Sequence, residues 1–317
     1  MGAPKLSVVV PTHDRPDLLA RLLGALASQT VGSATFETVV VDDGSRTPVG
    51  DLSRLRSEVR VLRHEHSRGP AAARNTGWQA AQGDLIAFTD DDCRPSPRWL
   101  EALLEAWNGE EARIVQGRTE PDQQGEAHPL GRTMEISGPT GLYETCNIAY
   151  PRRLLEGTGG FDERFRRACG EDVDLGMRAS RAGAELAFAP KALVHHAVHH
   201  PPLSALVRHA RIWSDAVLTL KLHPELRPML VGGVFWKRTH PLLLLAGAGA
   251  VLSITRRSPL PALLSSAAYL EHYRRVYAAA GESWLEAARR LPVHALIDAV
   301  EVATMIEGSA RHRTLML

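Results

Sequence analysis

The sequence predicts an α/β protein: a Rossmann-like, mostly parallel sheet with helices on both faces, followed by a helical C-terminal region. Three observations carry that prediction. Short valine-rich runs alternate with amphipathic helical stretches over the first 90 residues, as crossover units of a parallel sheet require. Acidic residues fall just after two of those runs. Beyond about residue 203 strand patterns cease and helical ones take over. We therefore expect two regions, residues 1–225 and 226–317.

The elements follow in order. Leu6 to Val10 is a continuous apolar run that reads as a buried parallel strand. Asp14 offers an N-cap and Pro16 sits in the first helical turn, with Leu18, Leu19, Leu22, Leu23 and Leu26 at helical spacing behind it. Thr38 to Val41 is a second strand that ends in Asp42-Asp43-Gly44-Ser45, and Val59 to Leu62 is a weaker third. A helix over about Ala71 to Gln82 leads through Gly83 to a fourth strand, Leu85 to Phe88. Further on we expect a helix over Trp99 to Trp107, a strand at Ile114 to Gln116, and a polar loop over Glu120 to Pro139. A helix over Asp172 to Arg181, a strand at Leu186 to Phe188 and a histidine-rich loop over His195 to Pro202 complete this region.

Charge is balanced, 37 basic against 36 acidic residues for a net +1. That gives no electrostatic reason to expect nucleic acid as a partner. Three cysteines without a CxxC pair make a poor disulfide framework and suit a reducing compartment. The first residues lack the layout of a signal peptide, so the expected location is the cytoplasm, at the cytoplasmic face of the membrane if the C-terminal region touches lipid.

In an open parallel sheet, ligands bind outside the carboxyl ends of the strands. Asp42 and Asp43 lie there, as do Asp90, Asp91 and Asp92 and the Pro11-Thr12-His13-Asp14 segment. Acids gathered at one rim repel unless a cation joins them, and magnesium favours one or two carboxylates with water and phosphate oxygens. Neither the dinucleotide-binding glycine fingerprint nor a P-loop follows any strand, so a metal has to carry more of a bound diphosphate's charge. Taken alone, Asp42 to Ser45 is also an ordinary turn, and Glu171-Asp172-Val-Asp174 is also an ordinary helix start, whose acids offset the helix dipole.

The segments Leu6-Ser-Val-Val-Val-Pro-Thr-His13, Val39-Val-Val-Asp-Asp-Gly-Ser45, Arg74-Asn-Thr-Gly-Trp78 and Gly83-Asp-Leu-Ile-Ala-Phe-Thr-Asp-Asp-Asp92 resemble family 2 glycosyltransferases in order and spacing. Gly159-Gly-Phe-Asp162 and Gly170-Glu-Asp-Val-Asp-Leu175 continue the match, so the likeness spans about residues 5 to 200. The resemblance implies a GT-A fold and an inverting transfer from a nucleotide-diphosphate sugar to an acceptor hydroxyl, with Mg²⁺ or Mn²⁺. It implies Asp172 as general base, and Pro11, His13, Asp42, Asp43, Arg74, Asn75, Asp90 and Asp91 around the nucleotide. Asp43 would take a hydrogen bond from the base. Asp92 comes first as metal ligand, with Asp90 and His196. Asn147, Gly160 and Glu171 would border the acceptor, whether that is a glycan, a lipid-linked sugar or a small molecule.

His195, His196, His199 and His200 also raise the reading of a zinc site, though no cysteine lies close to them in sequence. Two rival functions stand beside the transferase. A sugar-nucleotide nucleotidyltransferase shares the sheet architecture but opens with a glycine-rich basic loop, where this chain reads Pro11-Thr-His-Asp-Arg15. A non-catalytic sugar-nucleotide binder would hold the donor without turnover.

In the C-terminal region Leu242 to Ile254 is an apolar run of 13 residues, short of the roughly 20 that span a bilayer. Lys237-Arg238 and Arg256-Arg257 flank it, and the apolar character extends over residues 229–270. Two readings apply: a helical subdomain packed on protein, or an interfacial hairpin on anionic lipid. Val293, Leu296, Ile297, Val300 and Thr304 share one helical face and predict a packing helix with Asp298 and Glu301 turned away from it.

Overall fold

A computed structural model describes residues 5–32, 35–50, 59–122 and 130–317. The chain forms two compact units, residues 1–126 with 133–199, and residues 127–132 with 200–317.

The first unit holds eight strands: β1 (Leu6–Thr12), β2 (Phe36–Asp42), β3 (Val59–Arg63), β4 (Leu85–Thr89), β5 (Cys93–Pro95), β6 (Arg113–Pro121), β7 (Asn147–Pro151) and β8 (Glu185–His196). Its helices are α1 (Pro16–Ala27), α2 (Pro70–Ala80), α3 (Trp99–Trp107), α4 (Arg152–Thr158) and α5 (Glu171–Arg181). The sheet order is β3-β2-β1-β4-β7-β6-β8-β5. The β3-β2-β1-β4 half is parallel, β7 runs against both β4 and β6, and β8 returns parallel to β6. Alternate residues of β1 enter the two faces: Leu6, Val8 and Val10 join one core, Val9 the other. A strand buried on both sides reads as a continuous apolar run for this reason.

Two positions show why particular small residues recur in the motifs. Gly44 sits at φ +74° in the turn after β2, a conformation that costs glycine little. A Cβ on Gly77 would lie 2.4 Å from Val9 Cγ1, so only glycine lets α2 press this close to the sheet.

Several expectations need correction. Asp14 does not cap α1. It stands at φ 55° and accepts a hydrogen bond from the Arg46 N–H at 2.8 Å, while Arg15 takes the N-cap position without a side-chain bond. The histidine loop begins later than expected, because His195 and His196 are the last residues of β8 and pair with Arg94 and Cys93. Within the polar stretch 120–139, residues 123–129 lie outside the described residues, and Ile136 is fully buried and bridges Thr119.

The second unit holds α6 (Leu203–Ala210), α7 (Ser214–Leu222), α8 (Thr239–Arg256), α9 (Leu260–Ala279) and α10 (Trp284–His312). Gly249 lets α8 approach α9, since a Cβ there would overlap Ser265. The face of α10 that turns inward is not the one the apolar spacing selects: His294, Asp298, Glu301 and Met305 are buried, whereas Leu296 is exposed. Periodicity marks faces but does not say which of them finds partners, and here tyrosines and a lysine satisfy the polar one. Among the described residues no helix is long and apolar enough to cross a membrane.

Candidate active site

The carboxyl ends of β1, β2 and β4 open on one cleft of about 330 Å³. Pro11, Thr12, His13 and Arg15 line it from the β1 end, Asp43 from the β2 end, and Asp90, Asp91 and Asp92 from the β4 end. Arg74 of α2 and Arg166 and Ala168 of the loop before α5 complete the wall. The acids that are far apart in sequence thus meet at one rim.

Each carboxylate there has a different surrounding. Asp42 is 1% exposed and folds its own turn, accepting from Ser45 N at 2.9 Å, Val49 N at 3.2 Å and Arg63. Burial opposes its ionisation, but these bonds outweigh burial and hold its pKa below the usual value. Asp43 takes four donors: His64 Nδ1 and Arg68 N on Oδ1, Ser67 Oγ and Gly69 N on Oδ2, all within 2.9 Å. Four donors fill the lone-pair sites of a carboxylate. A nucleobase N–H therefore meets an acid already engaged, and Asp43 acts on the cleft by fixing the 66–69 loop that forms its wall.

Asp91 accepts from Thr12 Oγ1 at 2.8 Å and from Arg15 Nη1 at 3.1 Å. Burial still pushes its carboxyl up to about 6, with Asp92 and Asp90 adding repulsion. Asp92 meets Arg15 at 3.2 Å and His199 Nε2 at 2.9 Å on Oδ2. Burial resists its charge, yet His199, His196 and Arg15 hold it below the ordinary carboxylate range. Its Oδ1 is buried without a hydrogen-bond donor, and His196 Nε2 lies 3.5 Å away.

That orphaned oxygen tests whether a divalent cation fits. A hard carboxylate oxygen and an imidazole nitrogen facing each other, with Asp90 and Asp91 adjacent, form a donor set suited to Mg²⁺ or Mn²⁺ with positions left for other oxygens. Cys93 is close enough to join, but its soft sulfur suits Mg²⁺ or Mn²⁺ less well than carboxylate and imidazole donors. Of the four histidines weighed as a zinc loop, only His196 belongs to a potential ligand group among the described residues.

Behind the rim, Arg74 is 3% exposed and donates to Asp90 Oδ1 at 2.8 Å and Glu171 Oε1 at 2.9 Å. It ties β4 to the start of α5, where Asp172 is the second helical residue. Burial and the neighbouring Glu171 charge raise the Asp172 carboxyl well above its usual value.

Four expected contacts are placed elsewhere. Asn147 is fully buried and joins three strands' worth of backbone and α3, donating to Arg118 O and Ala192 O and accepting from Trp99 Nε1. Asn75 clamps the turn after α4 by donating to Phe161 O and accepting from Phe161 N and Trp78 Nε1. Gly160 lies in that turn, its carbonyl held by Arg178. Glu171 gives its Oε1 to Arg74, while its Oε2 is buried without a donor. The Asn75 and Asn147 amides have no spare N–H for the cleft, because both of their donors are already bonded within the fold. Conversely Arg15 and Thr12 have no assigned role in the sequence reading, and His199 enters it only as one of the four histidines of the zinc-site reading. The signal for Arg15 was present, as a cation placed directly after the first strand end.

A family model described as Glycosyl transferase family 2 matches residues 7–162. The chain is 32% identical over 247 residues to the pre-mycofactocin glycosyltransferase of Mycobacterium tuberculosis, an alignment covering 72% of this chain and 50% of that protein. It is 29% identical over 279 residues to the validoxylamine A glucosyltransferase of Streptomyces hygroscopicus subsp. limoneus, covering 75% and 60%. The chain thus spans about half the length of the first of these relatives. Among solved structures, the mannosyltransferase PcManGT from Pyrobaculum calidifontis in complex with GDP-Man and Mn²⁺ superposes with a TM-score of 0.58 at 19% identity, covering 97% of this chain and 88% of that one. At that identity the likeness speaks for the fold alone, which is the GT-A architecture. Sheet order, acid-lined rim and family match together place this chain in glycosyl transferase family 2.

Proposed function

We propose that the chain transfers a sugar, with inversion, from a nucleotide-diphosphate sugar to an acceptor hydroxyl. The observation that carries this reading is the Asp92 Oδ1 atom, buried without a donor opposite His196, at a rim shared by Asp90 and Asp91. Asp92 and Asp90, with His196, would hold Mg²⁺ or Mn²⁺, which would supply positive charge to offset that of a departing diphosphate. Pro11, His13 and Asp43 shape the wall where the nucleoside rests, and Arg74 holds Asp90 in place. Asp172, with its raised proton affinity, takes the proton of the acceptor hydroxyl as that oxygen attacks the anomeric carbon. The acceptor is a glycan, a lipid-linked sugar or a small molecule.

The test is transfer or donor hydrolysis over a panel of nucleotide sugars with Mg²⁺ or Mn²⁺. Release of nucleoside diphosphate supports the transferase. Pyrophosphate exchange would assign a nucleotidyltransferase instead, and donor binding without any turnover a non-catalytic binder. Asp92→Ala should weaken donor binding by about tenfold or more, a loss of at least about 1.4 kcal/mol, and only when metal is present. Calorimetry with and without chelator reads this, and an equal loss in both conditions removes Asp92 as ligand.

A specific observation favours contact between residues 229–270 and a membrane surface. Leu245, Val251, Ile254, Leu260, Leu263 and Leu264 of α8 and α9 are each more than half exposed. No acidic residue occurs from 239 to 270, and Arg256 and Arg257 lie at the bend. Lys237 does not contribute, because it is bound to Glu301. Apolar exposure of this extent marks interaction surfaces, and the charge suits anionic headgroups. Wild type should sediment with vesicles containing phosphatidylglycerol, and a variant carrying Leu263→Asp and Leu264→Asp should stay in solution. Wild type that ignores such vesicles contradicts the membrane reading.

A further inference from the structure

The second unit contains its own polar cavity, of about 310 Å³. Its lining includes the inward row of α10, where His294, Asp298 and Glu301 are 7%, 2% and 3% exposed. Burying carboxylates is costly, and well-packed apolar residues commonly serve stability as well or better. A helix that turns acids inward while leaving Leu296 exposed needs a reason other than packing.

The acids are held in fixed positions. Lys237 Nζ donates to both Glu301 oxygens at 2.7 and 2.6 Å. The Tyr269 and Tyr273 hydroxyls both donate to Oδ2 of Asp298, at 2.8 and 3.0 Å. No donor among the described residues reaches its Oδ1, so this buried acid keeps one acceptor atom in hand. Arg132 and Lys237 balance Asp298 and Glu301 around the cavity, which favours neither an anion nor a cation as occupant. His240, Asp298 and Glu301 are near enough to hold a metal, but the Lys237 ammonium already takes the place of a cation on Glu301.

The remaining lining has the character of a carbohydrate site. Trp213 lines the cavity, with Trp236 at a ring-centroid distance of 5.1 Å, His209 edge-on at 6.4 Å and Lys237 Nζ 5.9 Å from its ring centroid, and its buried Nε1–H lacks an acceptor. Burial, with Arg132 nearby, pushes the His209 imidazole down to about 4, so one ring nitrogen donates and the other accepts. A flat apolar ring beside fixed acceptors and a neutral imidazole matches a pyranose, whose C–H face is apolar and whose edge carries hydroxyl donors.

We propose that this cavity binds a neutral, hydroxyl-rich ring, a sugar or cyclitol unit, between the Trp213 indole and the Asp298 carboxylate. The ligand class rests on the glycosyltransferase reading. The test is of binding rather than turnover, so either can fail without the other.

The experiment is saturation-transfer NMR on the full chain, without nucleotide and with chelator. The probes are methyl α-D-glucopyranoside, methyl α-D-mannopyranoside and myo-inositol. We expect a saturable signal from at least one probe, weakened at least tenfold by Asp298→Asn and by Trp213→Leu. His209→Leu, at a partly exposed position, provides a variant that keeps the buried tyrosine–acid network, and the same loss is expected from it with an unchanged melting temperature. Absence of any probe binding, or equal binding by wild type and all three variants, overturns the proposal. So does stabilisation of wild type by Mn²⁺ or Zn²⁺ that Asp298→Asn abolishes, which would assign the cluster to a cation.

Discussion

Asp172→Asn should lower kcat by about 10²–10⁴-fold, the usual contribution of a positioned general base, while donor affinity in the presence of metal stays unchanged. Asparagine keeps the size and the oxygen that accepts from Val173 N at 2.8 Å, so the start of α5 should be preserved and only proton acceptance lost. The pH profile provides an independent reading. The base works only when ionised, and burial followed by the Glu171 charge raises its pKa well above the ordinary value. Activity should therefore fall as pH drops through that raised pKa, giving an acid limb in kcat/KM well above the value of about 4 for an exposed aspartate. Asp172→Asn should remove this limb from whatever activity remains. Wild-type rates in the variant would exclude Asp172 as the base, and a limb near pH 4 would contradict the environment described for it.

Arg74→Met should be the most destabilising single change in the first unit. The guanidinium is buried between Asp90 and Glu171, and Glu171 itself is 2% exposed. Removing the cation leaves Glu171 charged and unpaired in a site where burial already raises its pKa. Breaking a buried pair from one side costs about 3–5 kcal/mol, and urea unfolding of the full chain measures it. The variant carrying both Arg74→Met and Glu171→Gln should recover a large part of that loss, because it removes both charges together. Recovery is the informative arm, since it separates the stranded charge from mere loss of packing. A single variant within about 1 kcal/mol of wild type would show that the pair contributes little. Donor affinity should fall in both variants, because Asp90 loses the group that orients it.

The pattern of agreement and correction has a physical basis. Strands β1, β2 and β4 were legible because burial on both faces demands unbroken apolar runs, and each carried its acids at the same end. Residues 93–95 escaped notice as a strand, since a three-residue edge has too few side chains to show a period. The reach of β8 through His196 was missed because pairing with β5 depends on a neighbour about a hundred residues away. Within the site, Asp90 to Asp92 were readable from position, and Arg74 only through the family resemblance. The engagement of Asn75 and Asn147 was not, because their partners lie 86 and 45 residues off in sequence.

The sequence alone determined that several acids must share the carboxyl rim of a parallel sheet, since strand polarity and alternation with helices leave no other side for them. Only the tertiary structure decided how those acids divide their work. Asp42 and Asp43 are spent on neighbouring loops and Glu171 Oε1 on Arg74, whereas Asp92, on the cleft rim itself, keeps a buried oxygen without a donor. The same holds for α10, where spacing identified two faces and long-range partners chose the polar one for the interior. Local pattern reports which groups could act, whereas hydrogen-bond satisfaction is settled by residues distant in sequence, and what remains unsatisfied is where a ligand can bind.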